Sequence, residues 1–180
     1  MRPLLVLDLD ETLIFSAEKS LARSPDHRVG SFHVYIRPHL HRFLTEIAED
    51  YELAVWSAAT EDYVQAVVRA VTPKDVELAF IWSRSRCTQR FDPEEQEPYF
   101  VKDLKKVRRK GYPLERALIV EDTPRKVERH YGNAVYVTSW EGDEDDDLLL
   151  DLLEYLRSIH SEANFRSIEK RGWRRYRRGN

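Results

Sequence analysis

The chain holds a single cysteine, Cys87, in 180 residues, so no internal disulfide can form. A lone thiol fits a reducing compartment, and a cytoplasmic location is the expectation. No uninterrupted apolar run approaches the ~20 residues that a helix needs to cross a bilayer, so no membrane partner is expected. An apolar segment begins almost at the first residue, and no leader is expected ahead of it. Neither sign of charge dominates. The 29 Lys and Arg residues face 32 Asp and Glu, a net charge of −3, which does not mark the whole molecule as a binder of polyanions. Internal repeats and linkers are also lacking. The length suits one domain with a proper core, and a monomer is expected.

What the chain does have is a regular alternation of strand-like and helix-like segments. This predicts an α/β fold: a Rossmann-like three-layer sandwich with a central, mostly parallel sheet. Leu4–Leu7 and residues 53–56, 79–82, 117–120 and 134–137 read as strands, and residues 31–37 as a half-exposed one. Helices are predicted from Pro38 onward, with Leu40, Phe43, Leu44 and Ile47 on one side, and over Glu61–Val71. Further helices are predicted over residues 101–110, 124–130 and 147–160. The last shows an apolar stripe of Leu149, Leu153, Leu156 and Ile159. Residues 16–28 and 84–98 read as loop, too short for a large cap domain. The domain is expected to span residues 1–160, with 161–180 as a basic tail.

The first strand runs into Leu7-Asp8-Leu9-Asp10-Glu11-Thr12. On a strand, positions i and i+2 point the same way, so Asp8 and Asp10 share a face as the strand ends. Two carboxylates that close repel, and are tolerable only with a cation or a shared proton between them. Hard oxygen ligands with room for water suit Mg2+. One carboxylate can attack phosphorus while the other moves a proton. Ligands of open parallel sheets bind outside the carboxyl ends of the strands. Three later segments carry polar groups fit for phosphoryl transfer: Ser57 after Ala54-Val55-Trp56, Lys102 within Tyr99-Phe100-Val101-Lys102-Asp103-Leu104, and Glu121-Asp122 after Leu118-Ile119-Val120.

This order of motifs resembles the haloacid dehalogenase superfamily. Ile36-Arg37-Pro38-His39, Val55-Trp56-Ser57-Ala58, the Lys102 segment and Ile119-Val120-Glu121-Asp122-Thr123-Pro124 resemble a narrower group. That group is the phosphatases acting on the RNA polymerase II C-terminal domain, which include the NLI-interacting-factor-like phosphatases. The resemblance runs from about Leu4 to Leu156. It implies Mg2+-dependent hydrolysis of phosphoserine or phosphothreonine through an aspartyl-phosphate. Asp8 would be the nucleophile and Asp10 the general acid and then base. Thr12 would hold Asp10 or the turn, Ser57 would bond a phosphoryl oxygen, and Lys102 would neutralise the phosphoryl group and Asp8. The metal would take Asp8, the backbone carbonyl of Asp10, and Asp122, with Glu121 beside it or exchanging roles with it. Arg84 stands where relatives place a substrate-phosphate arginine; a solvated loop is the alternative for its segment.

An uncapped site favours a large phosphorylated substrate, a phosphoprotein first. The insert after the first motif, with Leu21, Pro25, Val29 and Phe32, shows no match to the proline pocket of the polymerase phosphatases, so the polymerase tail is not the expected substrate. Two alternatives stand beside a protein phosphatase: a phosphatase of nucleic-acid ends or nucleotides, and a non-catalytic module that binds phosphorylated partners. The tail, with Arg166, Lys170, Arg171, Trp173, Arg174, Arg175, Tyr176, Arg177 and Arg178, has four readings: it grips nucleic acid, packs on an acidic surface of its own domain, docks a phosphorylated partner, or dangles free. Arg37 reads as a support of the fold. The acidic run at 141–147 reads as a solvated loop ahead of a helix.

Overall fold

The computed structural model describes residues 2–174. In chain order the strands are β1 (Leu4–Leu7), β2 (Ile14–Ala17), β3 (His27–Val29), β4 (Phe32–Ile36), β5 (Glu52–Trp56), β6 (Leu78–Trp82), β7 (Thr88–Asp92), β8 (Glu97–Val101), β9 (Ala117–Glu121) and β10 (Ala134–Tyr136). The helices are α1 (Leu40–Ile47), α2 (Glu61–Val71), α3 (Lys105–Arg109) and α4 (Leu148–Ile159). Five strands form a parallel sheet in the order β10-β9-β1-β5-β6. Successive connections leave β1 in one direction and return to its other side, so the strand order reverses at β1. Ligands of such sheets bind at that reversal, beyond the carboxyl ends.

The strict alternation of side chains sorts the core into two halves. Leu5, Leu7, Leu53, Val55, Leu118 and Val120 pack with the apolar stripes of α1, α2 and α4 on one face. Leu4, Val6, Ala54, Trp56, Ala117 and Ile119 pack with Val107 of α3 and with Val127 on the other. Every residue of β1 and β9 is buried, which is why both read as unbroken apolar runs. The predicted three-layer α/β sandwich with a central parallel sheet is the observed fold.

The segments expected to be irregular are more ordered than the sequence suggested. Residues 16–28, read as loop, begin on β2 and end on β3, which with β4 make an antiparallel sheet ordered β2-β4-β3. Residues 84–98 hold a 3-10 turn, Arg84–Arg86, and most of the β7–β8 hairpin. Charged residues hide that hairpin because even the half-buried face of β7 carries Thr88, Arg90 and Asp92. Asp92 accepts the backbone N–H groups of Glu94 and Glu95, and Gln96 adopts φ +59°, which together close its turn.

Three helices are shorter than predicted. The helix expected over 101–110 is only α3, because Val101 pairs with Thr88 and completes β8. The helix expected over 124–130 is one 3-10 turn, Pro124–Val127. The helix expected from Pro38 starts at Leu40, since His39 sits at φ +67°.

The described part of the tail packs on the domain. Phe165 is fully buried and stacks on Tyr51, and Trp173 is buried against Tyr155 while its Nε1 donates to the Tyr136 carbonyl. Arg174 pairs with Asp147 and Asp151. Arg175, Tyr176, Arg177 and Arg178 lie outside the described residues.

Candidate active site

β1, β5 and β9 end side by side, and their registers bring the first, second and fourth motifs together. Asp8 follows β1 and anchors its backbone N–H on the Val120 carbonyl of β9. The chain then turns tightly: the N–H groups of Thr12, Leu13 and Ile14 all donate to the Leu9 carbonyl, and Glu11 takes φ +58°. These backbone hydrogen bonds hold a left-handed non-glycine residue that would otherwise be costly.

Asp8 is 1% exposed and carries an ammonium on each oxygen. Lys102 Nζ lies 2.6 Å from Oδ1, and Lys126 Nζ lies 3.1 Å from Oδ2. Burial pushes the Asp8 carboxyl up, but the two lysines outweigh it and hold it far below the usual carboxylate range. Lys102 is fully buried and also reaches Glu121 Oε2 at 2.6 Å. Burial pulls Lys102 down, yet Asp8 and Glu121 more than compensate and keep it charged. It leaves β8 with its backbone N–H bonded to the Lys126 carbonyl at 2.7 Å. The third motif therefore arrives on the hairpin, not at the start of a helix.

Asp10 sits apart from the lysines. Tyr63 donates its hydroxyl to Asp10 Oδ1 at 2.6 Å, and Ser57 reaches Oδ2 at 3.5 Å. Burial raises the Asp10 pKa, the Tyr63 hydrogen bond lowers it, and the charge on Asp8 raises it; the balance is upward. A carboxyl so raised, beside one held ionised, divides acid work from nucleophilic work. Glu11 is pushed up to about 7, by burial first and then by the charges of Asp10 and Asp122.

Oxygens of Asp8, Glu121 and Asp122 lie within 4.8 Å of one another. Three hard carboxylate donors match what a small hard dication takes, so this set fits Mg2+. Burial and the neighbouring Asp8 charge push Glu121 up. Asp122 keeps one oxygen toward Lys126 at 3.5 Å and accepts the Thr123 hydroxyl on the other. Both residues of the fourth motif thus reach the cluster, whereas the side chain of Asp10 does not join it.

The remaining predicted residues fall around this centre. Thr12 is buried, but its hydroxyl has no hydrogen-bond partner; its contribution to the turn is made by its backbone. Ser57 Oγ accepts the Ala59 N–H at 3.0 Å and so faces the Asp10 side. Arg84 donates Nε to the Ala58 carbonyl at 2.6 Å and lies over Phe100, next to the Ser57 loop. Arg37 is a support, as read from the sequence: its guanidinium holds both oxygens of Asp146 at 2.9 Å and the Thr12 and Thr138 carbonyls. The acidic run is not merely solvated, since Asp146 provides that partner. Sequence reasoning missed Lys126 and Tyr63. For Lys126 the one local signal is its place four residues after Asp122. For Tyr63 there is none, because a tyrosine in the first turn of an apolar helix reads as packing.

The family model of the NLI interacting factor-like phosphatases matches residues 3–166. This chain belongs to that family. CTD nuclear envelope phosphatase 1B of Danio rerio is 31% identical over 192 aligned residues, which cover 98% of this chain and 74% of that protein. The probable C-terminal domain small phosphatase of Dictyostelium discoideum is 35% identical, over 91% of this chain and 53% of its own length. Among solved structures, the fission yeast RNA polymerase II CTD phosphatase Fcp1 bound to beryllium fluoride shares the fold. Its TM-score is 0.60 at 16% identity, over 88% of this chain and 50% of that one. This NLI-interacting-factor-like chain, a phosphatase of haloacid dehalogenase type, thus spans about half the length of its Fcp1 neighbour. The cytoplasmic location expected from the lone cysteine is overturned. Relatives that match nearly the whole chain, in Danio rerio and Xenopus laevis, are named for the nuclear envelope. No helix among the described residues is long and apolar enough to cross a membrane.

Proposed function

We propose that this phosphatase hydrolyses phosphoserine or phosphothreonine of a protein through an aspartyl-phosphate on Asp8, with Mg2+ as cofactor. The observation that carries the mechanism is the division between Asp8, ionised between two ammonium groups, and Asp10, held two residues away by Tyr63 with its pKa raised. An Asp8 oxygen attacks phosphorus, and the bond from phosphorus to the serine or threonine oxygen breaks. Asp10 gives its proton to the leaving alkoxide. Asp10 then takes a proton from water, whose oxygen attacks phosphorus and breaks the bond to Asp8, releasing inorganic phosphate. Lys102 stays beside the reacting carboxylate and offsets negative charge as it builds on the phosphoryl oxygens. Ser57 would donate to one of those oxygens, and Arg84 would bind the substrate phosphate. Asp8 and Asp122, with the Asp10 carbonyl and with Glu121 adjoining, would hold Mg2+, which would supply charge neutralisation for the phosphoryl group.

A protein substrate is favoured because relatives are named as C-terminal domain or RNA polymerase II CTD phosphatases. Three described basic residues of the tail are engaged within the chain, which weighs against the nucleic-acid alternative. Arg174 is paired with Asp147 and Asp151, Arg171 with Glu169, and Lys170 donates to two carbonyls of its own segment. The test is phosphate release from a phosphoserine peptide and from a 5′-phosphorylated oligonucleotide, with Mg2+ and with EDTA. Peptide turnover abolished by EDTA and by Asp8→Asn is the expected result. Turnover of the oligonucleotide alone would overturn the substrate class, and turnover undiminished by Asp8→Asn would overturn the mechanism.

A further inference from the structure

Lys126 is the resident of the site that no motif announced. Its ammonium touches all three carboxylates of the hard-donor cluster: Asp8 at 3.1 Å, Glu121 at 3.2 Å and Asp122 at 3.5 Å. A simple surface ion pair four residues apart would involve Asp122 alone; Lys126 reaches past it to a carboxylate that is 1% exposed. The two lysines divide Asp8, Lys102 on Oδ1 and Lys126 on Oδ2, yet they are held differently. The Lys102 side chain is wholly buried. That of Lys126 keeps 23% of its surface open and springs from the single 3-10 turn at Pro124–Val127. Its backbone is fixed by the Lys102 N–H, so only the side chain is free to leave.

An ammonium and a small dication seek the same oxygen lone pairs and repel each other at close range. Both cannot hold these three carboxylates together. We propose that Lys126 is a built-in competitor of the divalent metal, neutralising Asp8, Glu121 and Asp122 in the metal-free protein and leaving them when the metal binds. The lysine therefore sets the metal affinity of the site and keeps the carboxylates folded in place before the metal arrives. This inference rests on the metal half of the proposed function.

The test uses the whole chain and Mn2+ as a spectroscopic probe. Titration followed by electron paramagnetic resonance should show Lys126→Gln binding Mn2+ about tenfold tighter than wild type, since removing a competing cation removes its repulsion. Equal or weaker binding by the variant overturns the proposal. A second measurement needs no variant: acylation of lysines in the wild-type protein, read by mass spectrometry with and without saturating Mg2+. Labelling of Lys126 should rise several-fold with metal while Lys102 stays protected. Unchanged or reduced labelling of Lys126 overturns the proposal, even where Lys126→Gln does not fold. If neither protein binds Mn2+ at millimolar concentration, the metal reading of the site fails and this inference fails with it. Binding that is indifferent to both tests sinks only the role of Lys126.

Discussion

Two buried ion clusters meet the same segment, Asp8 to Thr12, and they are built on opposite rules. Around Arg37, one guanidinium faces one carboxylate and two carbonyls, and both Asp146 oxygens lie at 2.9 Å. Charge is matched and the planar fork of the arginine meets its partners from fixed directions. Around Asp8, three carboxylates share two ammonium groups, and Lys126 serves all three at once. The first cluster is closed and has nothing left to offer a ligand. The second is crowded, unequal in charge and partly open at Lys126. A saturated ion pair stiffens a fold, whereas an unsaturated one is a place where a phosphoryl group or a cation can be received.

That contrast can be broken most directly at its chemical end. Asp8→Asn should lower kcat on p-nitrophenyl phosphate by about 10³-fold or more, because no other group replaces the nucleophile. Circular dichroism should show that the variant is still folded. Retained turnover would place the nucleophile elsewhere and erase the distinction. At the structural end, Arg37→Ala strands Asp146 and two carbonyls, and should cost about 3–5 kcal/mol in urea unfolding, as for other buried pairs that lose one partner. A loss within the error of the measurement would show that the closed cluster supports nothing.

Smaller effects sharpen the picture. Tyr63→Phe removes the hydroxyl that orients Asp10 and should reduce kcat about tenfold, some 1.4 kcal/mol, while KM is unchanged. A rise in KM at constant kcat would assign Tyr63 to substrate binding instead. The mildest prediction concerns acid. Burial pushes the Asp146 carboxyl up, but the hydrogen bonds and charge of Arg37 outweigh it, so its folded pKa lies below the unfolded value. The stability it contributes is complete above the unfolded pKa and is lost as pH falls through the folded one. Between pH 5 and pH 3, at about the unfolded aspartate pKa of 3.9, wild type should therefore lose more unfolding free energy than Asp146→Asn. Parallel slopes for the two proteins would show that Asp146 is not held in its charged form by folding.

Legibility in the sequence followed burial. The five strands of the parallel sheet were readable because strands covered on both sides carry continuous apolar runs, as in Leu4–Leu7 and Ala117–Glu121. The helix Glu61–Val71 was readable to the residue, through its valine stripe and the Thr72-Pro73 stop. The β7–β8 hairpin was not, because the half-buried face of β7 carries the polar side chains of Thr88, Arg90 and Asp92 and so shows no apolar period. The shortening of the helix at residues 101–110 has the same origin, since its first residue was taken by that hairpin.

Local order in the chain was enough to place Asp8, Asp10, Ser57, Glu121 and Asp122 at or near strand ends and to pick out Lys102, though on the wrong element, and so to indicate phosphoryl transfer. It could not say what surrounds them. Lys126 meets Asp8 across 118 positions, Tyr63 meets Asp10 across 53, and Arg37 meets Asp146 across 109. Periodicity tells which face of an element is buried, because burial is a property of one element at a time. Which charges then share a carboxylate depends on how separate elements are stacked, and only the assembled sheet with its flanking turns decides that.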